Sequence, residues 1–93
     1  MKQHIVIWDI SAERIHTMQI SLYEALRQLG IDASVQFNSE EPLLSRNGLL
    51  GRTPAVQVNG YAQVWTCRVN QAIGKEDFVL LFQQLREKHI MDF

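Results

Sequence analysis

Cysteine is nearly absent from this chain, since Cys67 is the only one among 93 residues. One cysteine cannot form an intramolecular disulfide, and it cannot supply the several thiolates of a structural zinc site. The three histidines, His4, His16 and His89, lie far apart in the sequence and match no metal-ligand spacing. We therefore expect no metal site and no bound cofactor.

An excess of either charge is also missing, because the formal net charge at pH 7 is -1. The basic residues are scattered and form no stripe with interleaved aromatics, which argues against nucleic-acid binding. No apolar run approaches the roughly 20 residues of a membrane span. The opening segment "MKQHIVIWDI" is typical of a first strand and not of a secretion signal. The sequence therefore predicts a cytoplasmic protein that binds neither nucleic acid nor membrane.

The length suits one domain with one hydrophobic core and is too short for two. No linker, repeat or low-complexity stretch divides the chain, so residues 1–93 are expected to form a single domain. Short β-branched runs alternate with segments whose apolar residues recur every three or four positions. This pattern predicts the order β-α-β-α-β-β-α, a four-stranded mixed sheet with helices on both faces.

Several residues mark where the predicted elements end. Gly30 suits the position after a long first helix, and Pro42 suits the first turn of a short second helix. The dipeptide Asn59-Gly60 predicts a tight hairpin between the third and fourth strands. The predicted strands cover residues 4–8, 32–37, 54–58 and 62–69. The predicted helices cover residues 12–29, a short stretch within 38–48, and residues 74–89.

The hairpin also predicts which residues of its two strands are neighbours. A two-residue turn at Asn59-Gly60 pairs Val58 with Tyr61, and counting onward places Trp65 opposite Pro54. Trp65 and the cysteine two residues later would then lie at the Pro54 end of the sheet. The first helix also begins at that end.

The Thr53-Pro54 dipeptide, the Asn-Gly hairpin and the element order together resemble the thioredoxin-like fold. The closest likeness is to the small thioredoxin and glutaredoxin-like proteins, and it covers nearly the whole chain through "EALRQLGID" and "TPAVQVNG". The resemblance implies that Pro54 is cis and that Thr53 forms one wall of a substrate groove. In that family the groove holds an extended peptide or glutathione.

The family's catalytic motif is missing from this sequence. Family members open the first helix with Cys-x-x-Cys or Cys-x-x-Ser, where the helix dipole and backbone N–H groups favour a thiolate. Counting back without gaps from "EALRQLG", the motif falls on residues 12–15, where no cysteine stands. We therefore expect no dithiol exchange, and we interpret Ser11 as a helix N-cap and not as a nucleophile.

The residues predicted to surround the groove come from both ends of the sequence. Asp9 has the alternative role of a helix cap, and Trp65 has the alternative role of a core side chain. Cys67 is interpreted either as a displaced reactive thiol or, in preference, as a small buried hydrophobe on a strand. The predicted groove residues are Asp9, Ala12, Ile15, Thr53, Pro54 and Trp65.

These observations favour a non-catalytic binding or adaptor domain whose partner is a protein or peptide held beside Pro54. The alternative is a single-thiol redox or glutathione-linked protein that uses Cys67. A third hypothesis is a homodimer formed through the apolar tail of residues 90–93. The chain is not expected to be a dithiol-disulfide oxidoreductase or an enzyme of another kind.

Overall fold

The computed structural model describes residues 2–93 as an α/β protein with alternating strands and helices. The α/β class that the sequence predicts is confirmed. The strands are β1 (Gln3–Trp8), β2 (Ala33–Asn38) and β3 (Ala55–Val58). The helices are α1 (Ala12–Leu29), α2 (Glu41–Arg46) and α3 (Lys75–Glu87).

β1 is the central strand of a mixed sheet whose order is β2-β1-β3. It pairs in parallel with β2 from end to end, and it pairs antiparallel with β3, with Trp8 opposite Ala55. Its apolar side chains alternate between the faces, as a strand requires. Ile5 and Ile7 are buried in the larger hydrophobic cluster, whereas Trp8 packs against a smaller one.

The two clusters lie on opposite faces of the sheet. The larger one is made with α1 and α3, which also pack against each other and contribute Leu22, Phe78 and Phe82. The smaller one is made with α2 and the loop after it, through Leu44 and Leu49. Helices therefore cover both faces, as the sequence predicts. Among residues 2–93, no helix combines the length and apolar character that a membrane crossing needs.

α1 begins and ends where its sequence signals place it. The Ser11 hydroxyl accepts a hydrogen bond from the Arg14 backbone N–H, at 3.2 Å, which caps the first turn. Gly30 has a φ of 68°, and the Ile31 N–H donates to the Leu26 carbonyl at 2.9 Å. This is a Schellman-type ending that needs a left-handed residue, which explains glycine at position 30.

The predicted fourth strand is wrong, because the sheet formed by residues 2–93 has three strands. The Asn59-Gly60 turn does form, with both residues at positive φ and the Tyr61 N–H donating to the Val58 carbonyl. Beyond it, a single isolated bridge joins Val56 to Trp65, with two N–H···O distances of 2.8 Å. Trp65 therefore lies opposite Val56, and the predicted pairing with Pro54 is also wrong.

The Gln57 side chain occupies the place where the lost strand would begin. Its Nε2 donates to the Tyr61 carbonyl at 2.9 Å, and the backbone of β3 next pairs at Trp65. Ala62 and Gln63 are exposed, and neither buries apolar surface that would favour pairing. The chain therefore leaves β3 after the turn and returns to it only at Trp65.

The C-terminal tail packs against its own domain through the Asn59 side chain. The Asn59 amide nitrogen donates to the Ile90 carbonyl and to Oε1 of Gln3, both at 2.8 Å. Its amide oxygen accepts from the His4 N–H, also at 2.8 Å. Gln3 is 1% exposed and donates to the Asp92 carbonyl at 2.6 Å. The apolar tail therefore lies on the core of its own chain, where Met91 is buried.

Replacing Asn59 by alanine is expected to destabilise the protein by about 2 to 4 kcal/mol, because the three hydrogen bonds of its side chain are lost. Urea unfolding monitored by circular dichroism measures the change. Asn70→Ala is a matched control, since Asn70 also has positive φ but its side chain makes no hydrogen bond within the described residues. Asn70→Ala should cost about 1 kcal/mol or less. Equal losses in the two variants would show that backbone conformation, and not the side-chain network, is what Asn59 supplies.

Candidate functional site

Asp9 is completely buried at the point where β1 ends and α1 is about to begin. Its carboxylate accepts from the backbone N–H of Ile10 at 2.7 Å and of Ser11 at 3.3 Å. The Arg14 guanidinium donates two further bonds, from Nε at 2.8 Å and from Nη2 at 2.7 Å. The hydrogen bond to Asp9 raises the pKa of Arg14 above its ordinary value. Both charges are therefore neutralised within the domain.

Arg14 of this ion pair lies in the segment to which the resemblance assigns the missing thiol motif. Arg14 lies within residues 12–15, at the start of α1, and its side chain turns back onto Asp9. Ala12 is exposed and Ile15 is half-buried. Residues 12–15 thus contain no thiol, and the guanidinium of Arg14 is already paired with Asp9. Asp9 lies two residues before the Ser11 N-cap, so it is an ion-pair partner of Arg14 and not the cap of α1.

The Thr53-Pro54 peptide bond is cis, which confirms what the resemblance implies. Both residues are buried, and Thr53 is only 1% exposed. The Thr53 carbonyl accepts from the Asn70 N–H at 2.8 Å, and the Thr66 hydroxyl donates to the Arg52 carbonyl at 2.9 Å. Residues 66–70 therefore cover the Thr53-Pro54 turn, and the Thr53 carbonyl is already bonded within the chain.

An open apolar cavity of about 270 Å³ lies beside this covered turn, between residues 65–67 and α3. We call it the α3 groove. Leu80 is 58% exposed and Trp65 is half-buried, and both line it. Its lining residues are Val56, Trp65, Thr66, Cys67, Ile73, Asp77, Leu80, Leu81 and Gln84.

Cys67 is exposed, so the preferred interpretation of it as a buried strand residue is wrong. The physical reason is the missing strand, because without a ladder beyond Trp65 no sheet face exists on which this side chain could be buried. The thiol instead lines the α3 groove.

A second cavity, also about 270 Å³, lies on the other side of the same stretch of chain. We call it the Trp8 cavity. It occupies the space that opens where residues 62–64 leave β3, and its lining is mostly polar. Its lining residues are Trp8, Asn47, Leu49, Arg52, Gln57, Ala62, Gln63 and Val64.

The six predicted groove residues are thus distributed over three places. Asp9, Thr53 and Pro54 lie at the same end of the sheet, since Trp8 pairs with Ala55. Ala12 and Ile15 belong to the first turns of α1, whereas Trp65 lies across β3 and lines the α3 groove. Sequence reasoning missed Leu80. The sequence does contain a feature that could have identified Leu80, because it is an apolar residue of α3 outside the buried stripe. That stripe consists of Phe78, Leu81, Phe82 and Leu85.

Arg14→Gln is expected to destabilise the protein by about 2 to 4 kcal/mol, because it leaves the buried Asp9 carboxylate without its cation. The double variant Asp9→Asn/Arg14→Gln should be more stable than Arg14→Gln, since it removes the uncompensated charge. Glu13→Gln, at an exposed position in the same turn, should change stability by less than about 0.5 kcal/mol. Urea unfolding at neutral pH measures all three.

The stabilisation by Arg14 is expected to be constant across neutral pH. Since the pKa of Arg14 is raised, its contribution to the free energy of unfolding is fully present below the ordinary arginine pKa. That contribution is lost only as the pH rises through the raised pKa. A double variant no more stable than Arg14→Gln would contradict the role given to the ion pair.

Among residues 2–93, no group of three or more histidine, cysteine, aspartate or glutamate side chains is placed to hold a metal ion. Comparisons of the chain with protein-family models, curated proteins and solved structures find no match. The likeness to thioredoxin-like proteins therefore rests on the residues of this chain alone.

Proposed function

We propose that this chain is a non-catalytic binding domain that holds an apolar segment of a partner protein or peptide in the α3 groove. The resemblance to small thioredoxin-like proteins is part of the proposal, without their dithiol motif. The groove lies beside the Pro54 turn, because Val56 and its bridge partner Trp65 both line it.

The observation that carries this proposal is the exposure of Leu80 within an apolar groove. Leu80 is 58% exposed and lines the groove together with the half-buried Trp65. Concave sites that combine aromatic and aliphatic walls with a few polar groups are typical of binding sites. Burying such side chains against a partner contributes about 25 cal/mol for each Å² removed from water.

The rim of the groove indicates which partner segment it fits. Asp77 is the one carboxylate in the lining, and no ion pair involves it within the described residues. Gln84 adds an amide that can donate and accept. A segment with a large apolar side chain next to lysine or arginine therefore complements the groove in both shape and charge.

We expect Leu80→Asp to weaken the binding of such segments about tenfold or more, because a carboxylate in the groove opposes apolar burial. The measurement is selection of displayed 12-residue peptides on the wild-type protein, followed by affinity measurement of the enriched peptides on each variant. Ile20→Asp is the matched control, since Ile20 is 55% exposed on α1 and lies outside the groove lining.

The selected peptides should retain wild-type affinity for Ile20→Asp and should share an apolar residue beside a basic one. Peptides that bind Leu80→Asp as tightly as the wild type, or a selection that enriches no peptide, would overturn the proposal. Circular dichroism of each variant confirms that a loss of binding is not a loss of folding.

Single-thiol chemistry is a second candidate, favoured by the exposure of Cys67 at the same groove. A Cys67 thiolate attacks one sulfur of a small disulfide such as oxidised glutathione. The disulfide bond breaks, a mixed disulfide forms on Cys67, and one glutathione thiolate leaves. The chain has no second cysteine, so release of the adduct requires an external thiol.

Incubation with oxidised glutathione is expected to give one adduct per folded chain, because Cys67 is accessible. Mass spectrometry before and after added dithiothreitol measures it, and Cys67→Ser is the control that should form none. If folded protein forms no adduct while urea-unfolded protein does, the single-thiol candidate is wrong. Leu80→Asp keeps the thiol and should still form the adduct while losing the selected peptides, which separates this candidate from the binding proposal.

A further inference from the structure

We propose that the Trp8 cavity is a site for a small planar carboxylate, separate from the α3 groove. The two cavities share no lining residue. Trp8 packs with the cluster under α2, whereas Val56 in the α3 groove belongs to the larger cluster on the other sheet face. Each site can therefore be tested with variants of its own lining residues.

The charge of the cavity selects an anion. Arg52 is the only ionisable residue in the lining, and no carboxylate lines the cavity with it. Within the described residues, the Arg52 guanidinium takes part in no ion pair. A guanidinium presents parallel N–H donors that match the two oxygens of a carboxylate.

The walls of the cavity favour a flat ligand. The Trp8 indole N–H donates to Oε1 of Gln57 at 3.3 Å, and Nε2 of Gln57 donates to the Tyr61 carbonyl at 2.9 Å. These bonds hold the indole in place before a ligand arrives, which lowers the entropy lost on binding. The half-buried Val64 adds apolar surface beside the half-buried Trp8, so a ring can lie against Trp8 while its carboxylate meets Arg52.

The remaining lining supplies neutral hydrogen-bonding groups. Asn47 is anchored because its Nδ2 donates to the Leu43 carbonyl at 2.7 Å. Gln63 is exposed, and its side-chain amide makes no hydrogen bond within the described residues. It can therefore donate to a carboxylate oxygen. The cavity volume of about 270 Å³ lies just below that of drug-sized sites, which suits a single ring and not a larger ligand.

Benzoate is the probe, and benzamide is the neutral comparison of nearly the same shape. The chain has two tryptophans, so Trp65→Phe leaves Trp8 as the sole reporter of fluorescence. We expect benzoate to change Trp8 fluorescence saturably and to bind about tenfold more tightly than benzamide, as a charged hydrogen-bonded pair provides. The wild-type protein is titrated in parallel by ¹H–¹⁵N NMR, with the Trp8 indole and Gln63 amide signals as readouts.

Arg52→Gln should weaken benzoate binding about tenfold and leave benzamide binding unchanged. Arg46→Gln is the matched control, because Arg46 is an exposed arginine on α2 outside the lining, and it should bind benzoate as the wild type does. Leu80→Asp should also have no effect. Three results would each overturn the proposal. The first is that benzamide binds as tightly as benzoate, and the second is that Arg52→Gln binds benzoate as tightly as the wild type. The third is that benzoate leaves the NMR signals of the wild-type protein unmoved.

Discussion

The other elements of this domain depend on the pairing of β1, which is hydrogen-bonded along both of its edges. A buried polar residue stands at each end of the strand. Gln3 at its start is tied to Asn59 and to the C-terminal tail, while Asp9 after its end is tied to Arg14 and α1. No buried side-chain nitrogen or oxygen among the described residues lacks a partner. The strand thus positions helix and tail through directional bonds as well as through apolar packing.

Local signals were sufficient for the parts of the fold that local chemistry controls. Ser11, the apolar stripe and Gly30 predict α1 with the bounds that the structure has. The prediction of a fourth strand was wrong because Asn59-Gly60 specifies a turn and not the strand pairing beyond it. Beyond the turn, the Tyr61 carbonyl accepts from the Gln57 side chain, which no hydrophobic pattern reveals. The prediction that Cys67 is buried was wrong for the same reason, because it assumed a fourth strand paired with β3.

The candidate site was only partly predictable for a related reason. The sequence located the cis Pro54 turn by resemblance, and the turn is present. It could not indicate that residues 66–70 would lie over that turn, with Asn70 bonded to Thr53. The apolar groove beside the turn is lined by Leu80 and Trp65, which come from a helix and a loop that are distant in sequence. Burial by an irregular segment has no periodic signature.

The departure of residues 62–64 from β3 has one more consequence. Val64 lines the Trp8 cavity and the next residue, Trp65, lines the α3 groove, so one short stretch of chain forms a wall of both. Any ligand that shifts this stretch on one side alters the shape offered on the other. Thermodynamic linkage then requires each ligand to change the protein's affinity for the other ligand by the same factor. A strand fully paired with β3 would have left no such shared wall.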